Sequence, residues 1–157
     1  MNEEYMKEAL NEALKAYRLG EIPIGAVVVH EGRIIGRGHN TREKTQQAAA
    51  HAEMMAIEQA CQALNSWRLN GCTIYVTMEP CPMCAGAIMQ ARIDDVYFAV
   101  EDPKAGAFGS VFDLSVIQGF SSYPLIHQGL LASEAKNLLD LFFVKMRDKR
   151  NKRAGEI

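Results

Sequence analysis

Apolar residues recur along the chain with two different spacings, and these spacings predict helices and strands. From Glu4 to Leu19 they lie three and four positions apart, which predicts an amphipathic helix that ends at Gly20. The stretch from Ile24 to His30 is rich in β-branched residues, and a second run extends from Arg33 to Gly38. The pair Glu31-Gly32 between them is typical of a turn, so the two runs predict a β-hairpin.

The remainder of the chain alternates between helices and strands. Helices are predicted from about Ala49 to Leu64, from Pro82 to Ala91 and from about Ala132 onward. Strands are predicted at Cys72 to Thr77, Asp95 to Val100 and near Leu125 to His127, with a glycine-containing loop from Glu101 to Ser110. A hairpin followed by alternating helices and strands predicts a mixed sheet covered by helices, an α/β sandwich.

Length and composition fit one globular domain. The chain has 157 residues, of which 48% are hydrophobic and 23% charged. A domain of this length buries about 68–70% of its unfolded surface, so it needs neither a disulfide nor a metal merely to fold. A metal site in this chain would therefore indicate a catalytic role for the metal rather than a role in folding. We expect a single domain over residues 1–150 and a basic, frayed tail over residues 151–157.

Positive charge is concentrated near the C-terminal end. The net charge is −2, but residues 145–157 contain six basic and two acidic side chains, which leaves the preceding part of the chain acidic. A basic segment on an acidic body indicates a polyanionic partner. The alternative is a solvated helix end whose cations complement the helix dipole.

The sequence favours a cytoplasmic location. The longest stretch without acidic or basic residues, Leu114 to Ser133, contains Gly119 and Pro124, so we do not expect it to span a membrane. The first four residues lack the basic and apolar regions of a signal peptide. In the cytoplasm the four cysteines would remain reduced.

Two of these cysteines, Cys81 and Cys84, lie three residues apart where a helix is predicted to begin. Their sulfurs would lie on one side of the helix, about 60° apart around its axis, and the helix N-terminus would favour thiolates. Two such thiolates can bind one tetrahedral zinc ion. The pair alone also fits a redox dithiol or half of a structural zinc site. We interpret Cys61 and Cys72 as small buried hydrophobic residues.

Together with this pair of cysteines, His51 and Glu53 would form a catalytic metal site. His51 supplies a third ligand and leaves one coordination position for water. Zinc lowers the pKa of bound water to about 7, and Glu53 is placed to carry the proton. Residues two apart on a regular helix point in nearly opposite directions, so both can serve one site only if His51 lies at the first turn. His-x-Glu followed by Pro-Cys-x-x-Cys matches the signature of zinc nucleobase deaminases.

With these motifs the sequence resembles the cytidine-deaminase superfamily and, within it, the bacterial tRNA-specific adenosine deaminases. The match extends over nearly the whole chain, through residues 21–26, 39–40, 51–53, 66–69, 73–77, 79–87 and 102–104. The resemblance implies a cytidine-deaminase-like three-layer sandwich, in which helices cover both faces of a mixed five-stranded sheet. It also implies a homodimer whose interface includes the helix after Cys84.

The activity implied by the resemblance is zinc-dependent hydrolytic deamination of adenosine to inosine at the wobble position of tRNA. Hydroxide formed at one zinc ion per subunit would attack C6 of the purine. The residues that the resemblance assigns are His51, Cys81 and Cys84 as metal ligands, Glu53 as proton shuttle, and Asn40, Ala52 and Pro80 for substrate binding.

The resemblance implies that the partner is the tRNA anticodon loop. We expect binding to neither a membrane nor DNA. Between Gly119 and Gly129 the family usually carries an Asn-His-Arg run, whereas this chain has Ser121-Ser122-Tyr123. Either Tyr123 replaces the lost contacts by stacking, or the substrate differs. The pair Phe142-Phe143 either packs against the core or stacks on a base. The expected RNA contacts are Lys104, Tyr123, Lys145, Arg147, Lys149 and Arg150.

Two other functions remain open from the sequence. A deaminase of a free nucleobase or nucleotide, of the guanine or cytosine type, would share the zinc chemistry and have no use for a basic tail. A non-catalytic, zinc-stabilised RNA-binding subunit would not need Glu53, because a structural zinc requires no proton carrier.

Overall fold

The structure, a computed structural model, describes residues 2–155. Five strands form one sheet in the order β2-β1-β3-β4-β5. They are β1 (Gly25–His30), β2 (Arg33–His39), β3 (Cys72–Met78), β4 (Asp95–Val100) and β5 (Leu125–Gln128). Strand β1 pairs antiparallel with β2 and β3, whereas β3, β4 and β5 run parallel. The predicted mixed five-stranded sheet is confirmed.

Helices cover both faces of this sheet. They are α1 (Asn2–Arg18), α2 (Arg42–Thr45), α3 (Ala52–Leu64), α4 (Pro82–Gln90) and α5 (Ala132–Gly155), with a 3₁₀ turn at Leu114–Val116. One apolar core lies between the sheet and α3 and α4, and another lies under α1 and α5. Among the helices so described, none is both long enough and apolar enough to cross a bilayer.

Alternation along β1 supplies both cores. Ala26 and Val28 pack with α3 and α4, whereas Val27 and Val29 belong to the cluster under α1 and α5. This is the side-chain period of two that a strand imposes. Because both faces are covered, β1 is a nearly continuous apolar run.

Two glycines in β2 allow α3 to lie close to the sheet. A Cβ atom on Gly36 would lie 2.1 Å from the carbonyl oxygen of Ala56, and one on Gly38 would lie 2.1 Å from that of Ala52. Any side chain at these positions would push the helix away. Since Ala52 is the first residue of α3, the contact at Gly38 fixes the helix end that carries His51 and Glu53.

Helix α3 begins three residues later than the apolar pattern predicts. Gln46 adopts a left-handed conformation (φ 56°) and ends the short helix α2, and the chain then reaches His51 in an extended conformation. Helix α2 was not predicted. Its first amides at Glu43 and Lys44 donate to the distant carboxylate of Glu21, at 3.0 and 2.9 Å, which no local pattern reveals.

Helix α5 continues through residues 151–155, where the sequence suggested a frayed tail. Of these five residues Lys152, Arg153 and Ala154 have high helix propensity, which favours continuation of the helix without core contacts, whereas Asn151 and Gly155 are weak helix formers. Residues 156–157, the rest of the expected tail, lie outside the described residues.

Candidate metal and active site

The three expected metal ligands lie at the beginnings of two helices. His51 is the N-cap residue of α3 and Cys81 is the N-cap residue of α4, and both have extended backbone conformations. Cys84 follows in the first turn of α4, and Pro82 occupies the first helical position, where its missing N–H is not needed. The two cysteines therefore open a helix as the sequence predicts, and His51 lies at the helix start that its spacing to Glu53 requires.

These three side chains converge. His51 Nδ1 lies 3.7 Å from Cys81 Sγ and 3.6 Å from Cys84 Sγ. All three donor atoms lie within 4.8 Å of one another, and no second such group of three occurs within residues 2–155. The arrangement can hold a metal ion through one nitrogen and two sulfur donors. Of the remaining cysteines, Cys72 is buried as predicted, whereas Cys61 is only half-buried.

In the metal-free site the pKa values of the two thiols are shifted in opposite directions. A hydrogen bond from Cys84 and another from His51 lower the pKa of Cys81 to about 4. The same bond to Cys81, together with burial, raises the pKa of Cys84, and the bond to Cys81 raises the pKa of His51. Cys81 is thus a thiolate at neutral pH and attracts a cation. Binding of that cation must displace the Cys84 proton.

Glu53 lies beside these ligands in the first turn of α3 and is only 3% exposed. Burial raises the pKa of its carboxyl to about 7. The neighbouring Cys81 acts in the same direction, while a backbone hydrogen bond and His51 oppose the shift. A carboxyl with a pKa near the working pH is suited to accept a proton and to release it again.

A cavity of about 300 Å³ opens at this site. This volume lies at the lower end of the range for small-molecule sites and matches a ligand about the size of one nucleoside. Its lining is largely apolar, with Ile22, Ile24 and Met78 among the contributors. Six of the residues expected from the sequence lie on its wall: Asn40, His51, Ala52, Glu53, Cys81 and Lys104.

Asn40 is held in place by its own loop. The side chain is 7% exposed, its Oδ1 accepts a hydrogen bond from the Arg42 amide at 3.2 Å, and its Nδ2 donates to the Ile22 carbonyl at 3.4 Å. The carboxamide is therefore fixed at the cavity wall. Pro80 is buried beside the cavity rather than on its lining, and its carbonyl accepts a hydrogen bond from the Ala107 amide at 2.9 Å.

Of the six side chains expected to contact RNA, Lys104 alone lines the cavity. The Tyr123 hydroxyl donates to the Ile117 carbonyl at 2.6 Å. Lys145 lies over the ring of Tyr17, with its Nζ 5.1 Å from the centroid. The other three expected contacts are exposed along α5: Arg147, Lys149 and Arg150.

Sequence reasoning missed several cavity residues. Arg42 adds a second cation to a lining that includes Lys104, and α5 contributes Leu139. Phe143, which the sequence left open between core packing and base stacking, also lines the cavity. Phe142 is buried in the core whereas Phe143 is 53% exposed, so the two members of this pair have different surroundings. Leu139 and Phe143 are four residues apart and therefore lie on one face of α5. This spacing is the sequence signal that could have identified them as a pair.

Glu79 organises the loop of residues 102–110, which contributes to the cavity wall. Its buried carboxylate accepts hydrogen bonds from the amides of Asp102 (3.2 Å), Phe108 (3.0 Å) and Ser110 (3.2 Å), and from the Ser110 hydroxyl. Gly106 leaves room for it, because a Cβ there would lie 2.4 Å from Glu79 Cδ. This one side chain therefore holds the loop that carries Lys104.

The sandwich fold, the His-Cys-Cys metal site and the buried glutamate together define the class of zinc-type deaminases. In agreement, residues 1–150 match the model of the MafB19-like deaminase family. A curated relative from Bacillus subtilis, named tRNA-specific adenosine deaminase, is 48% identical over 95% of this chain and 92% of its own length.

Solved structures agree with this relationship. One from a study of A-to-I editing by tRNA:A34 deaminases superposes with a TM-score of 0.83 at 41% identity, over 86% of this chain and 98% of that one. A guanine deaminase from Bacillus subtilis, also 41% identical, superposes with a TM-score of 0.61 over 64% of this chain and 65% of its own. The chain belongs to the tRNA-specific adenosine deaminase family.

Proposed function

We propose that residues 1–150 form a single zinc deaminase domain that converts adenosine to inosine at the wobble position of tRNA. The observation that carries the proposal is the convergence of His51, Cys81 and Cys84 beside buried Glu53, on a cavity the size of one nucleoside. The names of the similar proteins supply the substrate.

Zinc is the metal that suits these donors. Tetrahedral zinc with bond lengths of about 2.3 Å to sulfur and 2.0–2.1 Å to nitrogen separates those ligand atoms by about 3.6 Å. The observed separations of 3.6 and 3.7 Å fit that geometry. Three protein ligands are typical of a catalytic zinc, which when bound would make a water molecule more acidic.

Glu53 would move the protons of the reaction. Hydrolytic deamination forms a C6–O bond, breaks the C6–N bond and releases ammonia. Glu53 accepts a proton from the attacking water and delivers it to the departing amino group. Its pKa of about 7 suits both transfers. Asn40, Ala52 and Pro80 would position the nucleoside, with the Asn40 carboxamide as the polar group.

The rest of the tRNA would lie outside the cavity. Since a cavity of about 300 Å³ holds one nucleoside, the target base must be unstacked from its loop before it enters. Arg42 and Lys104 at the wall are placed to contact flanking phosphates, and the exposed ring of Phe143 can stack on a neighbouring base. The cations of α5 and Tyr123 would contact RNA further from the site.

We also propose a homodimer in which α4 forms part of the interface. Met83 on this helix is 38% exposed, and the small residues Gly86 and Ala87 beside it would permit close approach of a second copy. Because the proposed substrate is tRNA, the protein would act in the cytoplasm.

Guanine deamination is the second candidate. It is favoured by the likeness to a guanine deaminase at 41% identity over 64% of the chain.

The test is to incubate the zinc-loaded protein separately with tRNA that carries adenosine at position 34, with free adenosine, with guanine and with cytosine. Inosine at position 34 of the tRNA is expected. If guanine is converted and the tRNA is left unmodified, the proposal is refuted in favour of the second candidate.

A further inference from the structure

The chain's one tryptophan, Trp67, lies with two arginines in what we name the Trp67 cluster: Trp67, Arg68 and Arg92. The guanidinium carbon of Arg68 is 4.5 Å from the centroid of the indole and that of Arg92 is 5.3 Å away. The indole is nevertheless 54% exposed. Both guanidinium groups thus lie over the ring, yet more than half of the surface of Trp67 remains accessible to a ligand.

The cluster stands on two loops that are joined to each other. Ser66 Oγ accepts a hydrogen bond from the Arg68 amide at 3.1 Å, and the amide of buried Leu69 donates to the Ala91 carbonyl at 2.7 Å. The loop after α3 and the loop after α4 therefore hold each other in place. Trp67 and the arginines are presented by fixed backbone rather than by a mobile segment.

Neither guanidinium is neutralised within the described part of the chain. None of the ion pairs among residues 2–155 includes Arg68 or Arg92. The nearby carboxylate of Asp94 accepts a hydrogen bond from the Gly71 amide at 3.0 Å. A ligand that combines a flat ring with negative charge would complement this surface, as a single-stranded nucleotide does.

The Trp67 cluster lies far from the metal site of the same subunit. Helices α3 and α4 both begin at the metal ligands and end next to the cluster. The 13 residues of α3 span about 20 Å at 1.5 Å per residue. A nucleoside in the cavity cannot reach Trp67, so the cluster would bind a different part of the ligand.

We propose that the Trp67 cluster is a second RNA-binding site, where an unpaired base of tRNA stacks on Trp67 and its phosphates contact Arg68 and Arg92. This inference rests on the proposed function, because tRNA is taken as the ligand. The cavity holds one nucleoside only, so additional affinity for tRNA must come from surfaces outside it. The cluster offers both stacking and charge for that purpose.

The first test uses Trp67 itself as the probe, since it is the one tryptophan in the chain. Zinc-loaded protein is titrated with full-length tRNA carrying adenosine at position 34, and separately with inorganic polyphosphate. Stacking of a base predicts saturable quenching of Trp67 fluorescence by tRNA and little quenching by polyphosphate. Equal quenching by both polyanions, or none by tRNA, would overturn the stacking contact.

Matched variants test the energetic contribution. Trp67→Ala should weaken tRNA binding at least about fivefold, the lower limit for loss of one stacked base, and Trp67→Phe should restore most of it. Arg68→Ala with Arg92→Ala should reduce the slope of log affinity against log salt by about 1.4, the value for two single-strand phosphate contacts. The exposed Lys7→Ala with Arg33→Ala removes the same charge elsewhere and serves as control.

The outcomes separate this inference from the proposed function. We expect the turnover of saturating tRNA to be unchanged in the Arg68 and Arg92 double variant, because the cavity is intact. If that variant binds tRNA as the control does while the wild type produces inosine at position 34, the second site is refuted and the enzyme assignment stands. A change from dimer to monomer in sedimentation with unaltered tRNA affinity would also refute it, since the cluster would then be a protein contact. A wild type that leaves tRNA unmodified would refute the proposed function itself.

Discussion

Replacing Glu79 by glutamine should release the loop of residues 102–110 while leaving the metal ligands in place. The two side chains have nearly the same shape, but an amide nitrogen cannot accept a hydrogen bond. In one orientation the nitrogen would face the amides of Phe108 and Ser110, and both would lose their acceptor. In the other it would face the Asp102 amide and the Ser110 hydroxyl, which can rotate to become the acceptor.

The second orientation costs less, because only the Asp102 amide loses its partner. A hydrogen bond to a charged group contributes roughly 1.5–3 kcal/mol. A donor left without an acceptor costs roughly 1–3 kcal/mol when it is buried, and less for the Asp102 amide, because Asp102 is half-buried. We therefore expect Glu79→Gln to lower the free energy of unfolding by about 2–4 kcal/mol. It should also raise the KM for tRNA, because the loop carries Lys104 at the cavity wall.

Urea unfolding of the zinc-loaded protein measures the first effect, and the rate of tryptic cleavage after Lys104 measures loop opening. Glu58→Gln, an exposed substitution on α3, is the matched control. If Glu79→Gln unfolds within about 0.5 kcal/mol of this control, the range of ordinary surface changes, and Lys104 is cleaved no faster, then Glu79 does not hold the loop.

The metal ligands, the cationic end of α5 and buried Glu53 each give a further expectation. Cys84→Ala should bind less than one zinc per chain by metal analysis after dialysis, whereas Cys61→Ala, outside the site, should retain it; equal zinc contents would contradict the ligand set. Removal of residues 145–157 takes away six basic and two acidic side chains, so tRNA affinity and its salt dependence should both fall; unchanged values would identify the segment as solvated charge only. In chelator-treated protein the pKa of Glu53 lies at about 7, above its ordinary value of 4.5, so the folded state loses stability as pH rises between these values. Glu53→Gln should then raise the free energy of unfolding at pH 8 by about 3 kcal/mol and leave it nearly unchanged at pH 4; the same gain at both pH values would show that ionisation is not the cause.

The parts of the fold that sequence reasoning predicted depend on local patterns. The hairpin, the alternation of strands and helices, and the start of α4 at Cys81 all follow from neighbouring residues. The position of His51 at a helix start followed from a local constraint as well, because its two-residue separation from Glu53 is incompatible with a regular helix. The metal site itself was predicted by matching His-x-Glu and Pro-Cys-x-x-Cys to the deaminase signature, because the cysteine spacing alone left other kinds of site open.

The parts that were missed depend on contacts between distant residues. Glu79 meets its loop partners 23 to 31 positions further along the chain, and Glu21 caps α2 from 22 positions away. The sequence named Phe143 but left its surroundings open, because it reaches the cavity only where α5 packs beside the strands that end there. The spacing of hydrophobic residues predicts which residues face the sheet, but it does not predict which neighbouring element they contact. These contacts could therefore be identified only from the structure.

X-ray absorption at the zinc edge tests the central claim most directly, because it reports the ligand atoms of the metal in the intact protein. We predict one zinc per chain with two sulfur ligands at about 2.3 Å and two lighter ligands at about 2.0–2.1 Å. Cys81 and Cys84 supply the sulfurs, and His51 supplies one lighter ligand. A shell of three or four sulfurs would contradict the account, because it would require Cys61 or Cys72 and would close the position at which the reaction takes place.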